Sequence, residues 1–90
     1  MAYRYLGNTG LKVSVIGYGN MTAHDLGSNA RNEESEKFAI ESVKYCFDRG
    51  INFFDTAELY SFGASETQLG IALKALNVPR KDFVLSTKLL

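Results

Sequence analysis

The sequence predicts an α/β fold in which a β-hairpin is followed by strands and helices in the order β-α-β-α-β. Apolar residues recur at helical spacing from 33 to 49 and again from 65 to 76, as in helices with one buried face. A continuous apolar run at 51–54 separates the two helices, and a second strand-like segment at 83–87 follows them. Two consecutive β-α-β units imply parallel strands joined by right-handed crossovers.

The N-terminal part of the chain predicts the hairpin and then a strand. Segments 3–6 and 12–15 flank Gly7-Asn8-Thr9-Gly10, a turn rich in glycine and asparagine. A strand at 13–17 should follow the hairpin. From 20 to 32 the sequence has no periodicity and small or polar residues dominate, which predicts a long loop of the kind that often carries function.

Gly17-Tyr18-Gly19, after this strand, is an alternative signal for dinucleotide binding. The fingerprint G-x-G-x-x-G/A would place glycine or alanine at position 22, where this chain has Thr22, and it would start a helix at once. Neither condition is met, so a tight exit from the strand is the preferred interpretation.

The first helix is expected to begin at Glu33, with Asn32 as its N-cap, and to end at Arg49-Gly50. Acidic residues in its first turn suit the positive end of the helix dipole. Its buried face should contain Ala39, Ile40, Val43, Cys46 and Phe47.

The second helix is expected to begin at Ser65, because Ser65 and Gln68 have the spacing of a capping box. Gly70 inside this helix costs about 1 kcal/mol relative to alanine, which predicts a close approach between helix and strand at that position. Asn77 and Pro79 should end the helix.

Composition excludes several function classes. The 90 residues fit one small domain, and ten basic against ten acidic side chains give a net charge of zero, which argues against nucleic-acid binding and a polybasic membrane patch. No segment approaches the ~18 apolar residues that span a bilayer. One cysteine, Cys46, and one histidine, His24, make neither a disulfide nor a zinc site, so we expect a reducing, cytoplasmic location without metal or membrane insertion.

Three residues could carry chemistry at the carboxyl end of the predicted sheet. Asp55 follows one strand, Lys88 ends the next, and Tyr60 lies on the connection between them. Adjacent parallel strands would place Asp55 and Lys88 at the same end, where α/β proteins hold ligands. Each residue also has an ordinary explanation, as a turn acid, a solvated lysine or a packed loop tyrosine, so the residues alone leave a surface network open.

Taken in order, the motifs resemble those of the aldo-keto reductases along nearly the whole chain. The matching segments are the opening hairpin Tyr3–Ser14, the strand exit Gly17–Met21, Asn52–Tyr60, Ser65-Glu66 with Leu69-Gly70, and Ser86-Thr87-Lys88. The hairpin and the segment Ala57-Glu58-Leu59-Tyr60 are also similar to the branch that contains potassium-channel β subunits.

The resemblance implies a (β/α)8 barrel that reduces aldehydes or ketones to alcohols with NADPH, or with NADH. Tyr60 would donate the proton, Lys88 would be its neighbouring cation, and Asp55 would hold Lys88 in place. Asn20, Met21 and Asp55 would contact the cofactor, although relatives often carry threonine at position 20 and an aromatic residue or methionine at position 21.

Length sets the remaining expectations. A complete barrel needs roughly 250 residues, so residues 1–90 are expected to be the N-terminal fragment of one reductase domain, without the fourth catalytic residue, a histidine or asparagine, of the next strand. Such a fragment should be weakly folded, inactive and prone to self-association through its edge strand. Two alternatives stay open: a non-catalytic partner of a full-length relative or channel, and an unrelated α/β binding module.

Overall fold

The structure, a computed structural model, describes residues 1–20 and 33–89 and has the predicted order of elements. The strands are β1 (Tyr3–Tyr5), β2 (Lys12–Ser14), β3 (Tyr18–Gly19), β4 (Phe53–Asp55) and β5 (Val84–Ser86), and the helices are α1 (Glu33–Asp48) and α2 (Ala64–Ala75). Two 3₁₀ turns, Tyr60–Gly63 and Arg80–Asp82, precede α2 and β5. The predictions for Met21, Thr22, His24 and Asn32 lie outside the described residues. None of the helices in the described ranges is long and apolar enough to cross a membrane.

The predicted hairpin is confirmed, but the strand predicted at 13–17 is wrong. β1 and β2 pair antiparallel, with Tyr3 opposite Ser14. The chain then bends, and the next strand, β3, begins only at Tyr18. The bend has a polar cause: the Ser14 hydroxyl donates to the Ile16 carbonyl at 2.6 Å, and the Ser14 N–H donates to the side-chain oxygen of Asn52 at 2.7 Å. These contacts turn the backbone away from the hairpin and toward the second sheet.

β3, β4 and β5 form a three-stranded sheet in that order, and all three strands are parallel, as predicted. β4 begins two residues after the start of the predicted 51–54 strand. Its central residue, Phe54, is completely buried and stacks on Phe47 of α1, with 5.2 Å between ring centroids. The two helices cover this face of the sheet, and the buried core consists of Val43, Cys46, Phe54, Leu69, Ala72, Leu73 and Phe83.

Both helices end in the same hydrogen-bond pattern, a Schellman motif. At the end of α1, Gly50 has φ +88° and the Ile51 N–H donates to the Cys46 carbonyl at 3.0 Å. At the end of α2, Asn77 has φ +55° and the Val78 N–H donates to the Leu73 carbonyl at 3.2 Å. The predicted stops at Arg49-Gly50 and Asn77 are therefore confirmed, and left-handed backbone is their shared physical cause.

Two predictions for α2 are wrong. The helix begins at Ala64 after Gly63, which makes no side-chain cap, so Ser65 lies inside the first turn rather than at the N-cap. Ser65 and Gln68 are both buried, and the Gln68 amide donates to the Ser35 hydroxyl of α1 at 2.8 Å. Packing between the helices thus replaces the local capping box. Gly70 is exposed, with open space where a Cβ would stand, so no close approach explains it.

Candidate active site at the carboxyl end of the sheet

Strands β4 and β5 bring Asp55 and Lys88 together. Asp55 is level with Ser86 in the parallel register. The backbone ladder continues past both strands, because the Thr56 N–H donates to the Ser86 carbonyl at 2.9 Å and the Glu58 N–H donates to the Lys88 carbonyl at 3.1 Å. Lys88 is therefore held in extended backbone two residues beyond Ser86, on the same face of the strand.

The Lys88 ammonium group contacts three oxygen atoms. Its Nζ lies 3.0 Å from both carboxylate oxygens of Asp55 and 2.7 Å from the Thr56 carbonyl oxygen. An ammonium group has three protons to donate, and these acceptors lie within hydrogen-bond distance of it. The predicted pairing of Asp55 with Lys88 is present, and a backbone carbonyl fixes the ammonium from a third direction.

Asp55 and Lys88 each shift the pKa of the other toward its charged form. A hydrogen bond from the Ser86 hydroxyl, at 2.5 Å, is the largest cause that lowers the pKa of Asp55, and Lys88 lowers it further. The hydrogen bonds to Asp55 are the largest cause that raises the pKa of Lys88, with a further contribution from Tyr60. Both side chains are 46% exposed, so solvent screens the ion pair and it adds little to stability.

Tyr60 lies beside this ion pair. It starts the 3₁₀ turn Tyr60–Gly63, and its N–H donates to the Ala57 carbonyl at 3.3 Å. The Lys88 Nζ lies 5.1 Å from the centroid of the half-buried Tyr60 ring, within the ~6 Å range of a cation–π contact. All three residues predicted to carry chemistry therefore meet at one end of the sheet.

Asn20 follows β3 and joins the backbone of Asp55 to that of α2. Its N–H donates to the Asp55 carbonyl at 3.2 Å, and its side-chain amide donates to the Ser65 carbonyl of α2 at 2.9 Å. The residue is 3% exposed, and its buried Oδ1 has no hydrogen-bond partner among residues 1–20 and 33–89. Contact of Asn20 with a cofactor stays a prediction, as does that of Met21, which lies outside the described residues.

The backbone at the end of β3 is open on the side of Asp55. Gly19 is level with Asp55 in the register, and no atom of the described residues lies within 4 Å of the place where a Gly19 Cβ would stand. By contrast, a Cβ on Gly17 would lie 3.2 Å from the Phe53 ring.

Two parts of the site were missed by sequence reasoning. Alternation along the strand puts Ser86 on the face of Lys88, which is a signal in the sequence, but its register with Asp55 is defined only by the folded sheet. The Thr56 carbonyl carries no sequence signal, since every residue has one. A further contact ties the end of β5 to α2, because the Thr87 hydroxyl donates to a Glu66 carboxylate oxygen at 2.7 Å.

Comparison with known proteins identifies relatives of this arrangement. Residues 15–90 match the sequence model of the aldo/keto reductase family. L-galactose dehydrogenase of Arabidopsis thaliana is 49% identical over 85 residues, which cover 94% of this chain and 25% of that protein. A putative voltage-gated potassium channel subunit beta of Schizosaccharomyces pombe is 41% identical, with 96% of this chain and 24% of that protein covered. The holo structure of an aldo-keto reductase from Bacillus halodurans superimposes with a TM-score of 0.78 at 36% identity, covering 99% of this chain and 26% of that chain. The chain spans about a quarter of the length of these proteins.

Proposed function

Because this chain belongs to the aldo/keto reductase family and folds as the N-terminal part of its (β/α)8 barrel, we propose that Tyr60, Lys88 and Asp55 are catalytic residues of a nicotinamide-dependent carbonyl reductase. The reaction is reduction of an aldehyde or ketone to an alcohol with NADPH or NADH. The observation that supports this role best is the position of the Lys88 ammonium, which lies between the Asp55 carboxylate and the Tyr60 ring.

The proposed chemistry divides between cofactor and protein. When bound, NAD(P)H supplies a hydride to the carbonyl carbon and is oxidised to NAD(P)⁺. Tyr60 gives its hydroxyl proton to the carbonyl oxygen, so the C=O bond becomes CH–OH. A cation beside a phenol stabilises the negative charge that remains on its oxygen when the proton leaves. Lys88 is that cation, and Asp55 keeps it charged and in place.

We propose that a nicotinamide ring binds at this end of the sheet, beside the ion pair. This proposal is supported by the half-exposed Asp55 carboxylate, which is level with Gly19 at the end of β3. We propose that Asp55 and the end of β3, with Asn20 and Met21, line the cofactor. Substrates are small carbonyl compounds, and the expected location is the cytoplasm.

We also propose that these residues act only when the remaining strands of a barrel surround them, since the relatives are about four times as long. The test is a chimera in which this chain replaces the matching segment of Arabidopsis L-galactose dehydrogenase. The chimera should oxidise NAD(P)H with a small aldehyde, and the 90-residue chain alone should not.

A single substitution in the chimera tests the role of Tyr60. Tyr60→Phe removes the proton donor and should lower kcat by about 10²–10⁴-fold, the usual contribution of general acid catalysis. Tyr5→Phe is the matched control, because Tyr5 is 67% exposed in the hairpin and should leave kcat unchanged. A Tyr60→Phe chimera that is as active as its parent would contradict the proposed function. Turnover by the isolated chain would contradict the proposal that the site requires a complete barrel.

A second candidate function is non-catalytic association through β5. Among the described strands β5 lies at one edge of the sheet, and Leu85 is 38% exposed although it is level with the fully buried Phe54. Unpaired backbone groups beside an exposed apolar side chain favour pairing with another strand, and we propose a second copy of this chain as the partner. Sedimentation of the chain should show a dimer that Leu85→Lys converts to monomer; a parent chain that stays monomeric contradicts this candidate.

A further inference from the structure

Ser86 is the polar residue of the site to which neither the sequence nor the proposed chemistry assigns a role. Its hydroxyl donates to Oδ1 of Asp55 at 2.5 Å, within the ~2.5–2.7 Å range of hydroxyl–carboxylate hydrogen bonds to a charged acceptor. The same Oδ1 also accepts from Lys88 at 3.0 Å. Oδ1 of Asp55 therefore accepts two hydrogen bonds, one from the neutral hydroxyl of Ser86 and one from the charged ammonium of Lys88.

The role of the Ser86 side chain is separable from that of its backbone. The parallel ladder at this point uses the Ser86 carbonyl, which accepts from the Thr56 N–H at 2.9 Å. Removal of the hydroxyl leaves that bond intact and frees only the carboxylate, which can then turn about its bond to Cβ. Lys88 contacts both carboxylate oxygens at 3.0 Å, and a turned carboxylate would keep only one of these contacts.

We propose that Ser86 is a positioning residue: its hydroxyl fixes the orientation of the Asp55 carboxylate and, through it, the position of the Lys88 ammonium beside Tyr60. This inference rests on the proposed function, in which Tyr60 gives up the proton. Ser86 acts on the reaction only indirectly, because its hydroxyl contacts the Asp55 carboxylate and that carboxylate contacts Lys88. It is thus a part of the proton-donating machinery that touches neither substrate nor cofactor.

The first test measures the contact itself and needs no activity. The chain has only four aspartates, so ¹³C-carboxyl labelling of aspartate gives few resonances, and Asp55→Asn assigns the one of interest. The Asp55 carboxyl should titrate below its usual range in the parent, move upward in Ser86→Ala and return in Ser86→Thr, which keeps a hydroxyl. An Asp55 titration that Ser86→Ala leaves unchanged overturns the proposal.

The second test measures the consequence in the chimera. Ser86→Ala should lower kcat/KM roughly tenfold, about the worth of one hydrogen bond to a charged group, while KM for NAD(P)H stays the same. The acid limb of the pH profile should move to higher pH, because a carboxyl that protonates more easily releases Lys88 sooner. Ser86→Thr should restore both quantities. Among the described residues, the other ionisable groups around Asp55, unchanged in these variants, are Lys88 after β5, Tyr60 and Glu58 after β4, and Glu66 at the start of α2.

A matched control separates positioning from stability. Ser14→Ala also removes a hydrogen-bonded serine hydroxyl, at the opposite end of the sheet, and should lower the melting temperature without moving the pH profile. A Ser86→Ala chimera that loses thermal stability but keeps the parental pH profile overturns the proposal. If Tyr60→Phe has no effect in the chimera, the proposed function is overturned instead. The Asp55 titration would still show whether the Ser86 hydroxyl contacts the carboxylate.

Discussion

The two ends of the parallel sheet each contain an asparagine side chain, and these side chains differ in how many of their polar atoms are hydrogen-bonded. At the amino end, Asn52 accepts the Ser14 N–H at 2.7 Å and donates to the Lys12 carbonyl at 3.0 Å, so both ends of its amide are paired. At the carboxyl end, Asn20 donates to the Ser65 carbonyl at 2.9 Å, but its buried oxygen has no partner in the part of the chain that the structure describes. An unpaired buried polar atom costs about 1–3 kcal/mol. The amino end therefore stabilises the fold, whereas the carboxyl end keeps polar groups unsatisfied.

Charged and aromatic groups divide in the same way. At the amino end the Tyr3 hydroxyl donates to the Gly50 carbonyl at 2.7 Å and closes the hairpin over the end of α1. At the carboxyl end Asp55 and Lys88 are half exposed and contribute little to stability. In barrels of this kind the carboxyl end carries the chemistry and the amino end carries stability. Substitutions at the two ends should therefore affect different measurements.

The largest expected effect comes from the carboxyl end and concerns activity. Lys88→Met removes the cation beside Tyr60 and should lower kcat of the chimera by about 10²–10³-fold, as loss of an electrostatic contact to a reacting group does. Its free energy of unfolding should hardly change, because the ion pair is half exposed and solvent screens it. Kinetics and urea unfolding of one preparation measure both quantities. A large loss of stability would show that the two ends do not divide these roles.

The next largest effect comes from the amino end and concerns stability. Asn52→Ala removes two side-chain hydrogen bonds that join β4 to the hairpin 38 and 40 residues away, and it should cost about 2–3 kcal/mol of unfolding free energy. Asn8→Ala is the control, since Asn8 is exposed in the hairpin turn. Urea unfolding of the chain measures both variants. If the two substitutions lower the free energy of unfolding equally, the side-chain hydrogen bonds of Asn52 do not contribute specially to stability.

A pair of glycines gives effects of opposite sign. Gly50→Ala forces an L residue into φ +88° and places a Cβ 2.8 Å from the Tyr3 hydroxyl, so it should destabilise by roughly 1–2 kcal/mol. Gly70→Ala adds a methyl group in open space on the exposed side of α2 and should stabilise by up to about 1 kcal/mol. Thermal melts of the two variants measure the difference. If both substitutions stabilise, the left-handed end of α1 is not under the constraint that the structure shows.

The sequence predicts those parts of the molecule that depend on neighbours along the chain or on regular alternation. Gly50 and Asn77 mark both helix ends because left-handed backbone favours these residue types, and parallel strands bring Asp55 to Lys88 by topology alone. The failures are long-range. Ser65 and Gln68 have a capping-box pattern, but burial between the helices determines their contacts.

The strand predicted at 13–17 fails for the same reason. Its first residues continue as β2, but the contact between Ser14 and Asn52 joins residues 38 positions apart, and no local pattern encodes it. In the site, too, the hydroxyl of Ser86 and the carbonyl of Thr56 follow from strand register, which only the folded sheet defines. Local rules thus found the charged members of the site and missed the neutral groups that orient them.

The smallest expected effect concerns acid stability at the carboxyl end. The hydrogen bond from Ser86, and next Lys88, lower the pKa of Asp55, so the folded state binds that proton less readily than the unfolded chain. This contribution is present above the ordinary aspartate pKa of ~3.9 and is lost as pH falls through the lowered folded value. The raised pKa of Lys88 acts in the opposite window, since its contribution is lost only as pH rises through that raised value. At neutral pH both contributions are present.

Comparison of the chain with Asp55→Asn isolates the acid effect. The parent should be more stable at neutral pH by less than about 1 kcal/mol, because half exposure screens the pair, and the difference should disappear in strong acid. Asp48→Asn is the control, because Asp48 pairs with Lys44 on the exposed surface of α1. A difference for Asp55→Asn that persists in strong acid would mean that the neutral carboxyl group still holds Lys88 through hydrogen bonds. The pairing of Asp55 with Lys88 would then depend on hydrogen-bond geometry rather than on charge. The remaining difference between the two ends of the sheet would be the buried oxygen of Asn20, which has no hydrogen-bond partner among the described residues.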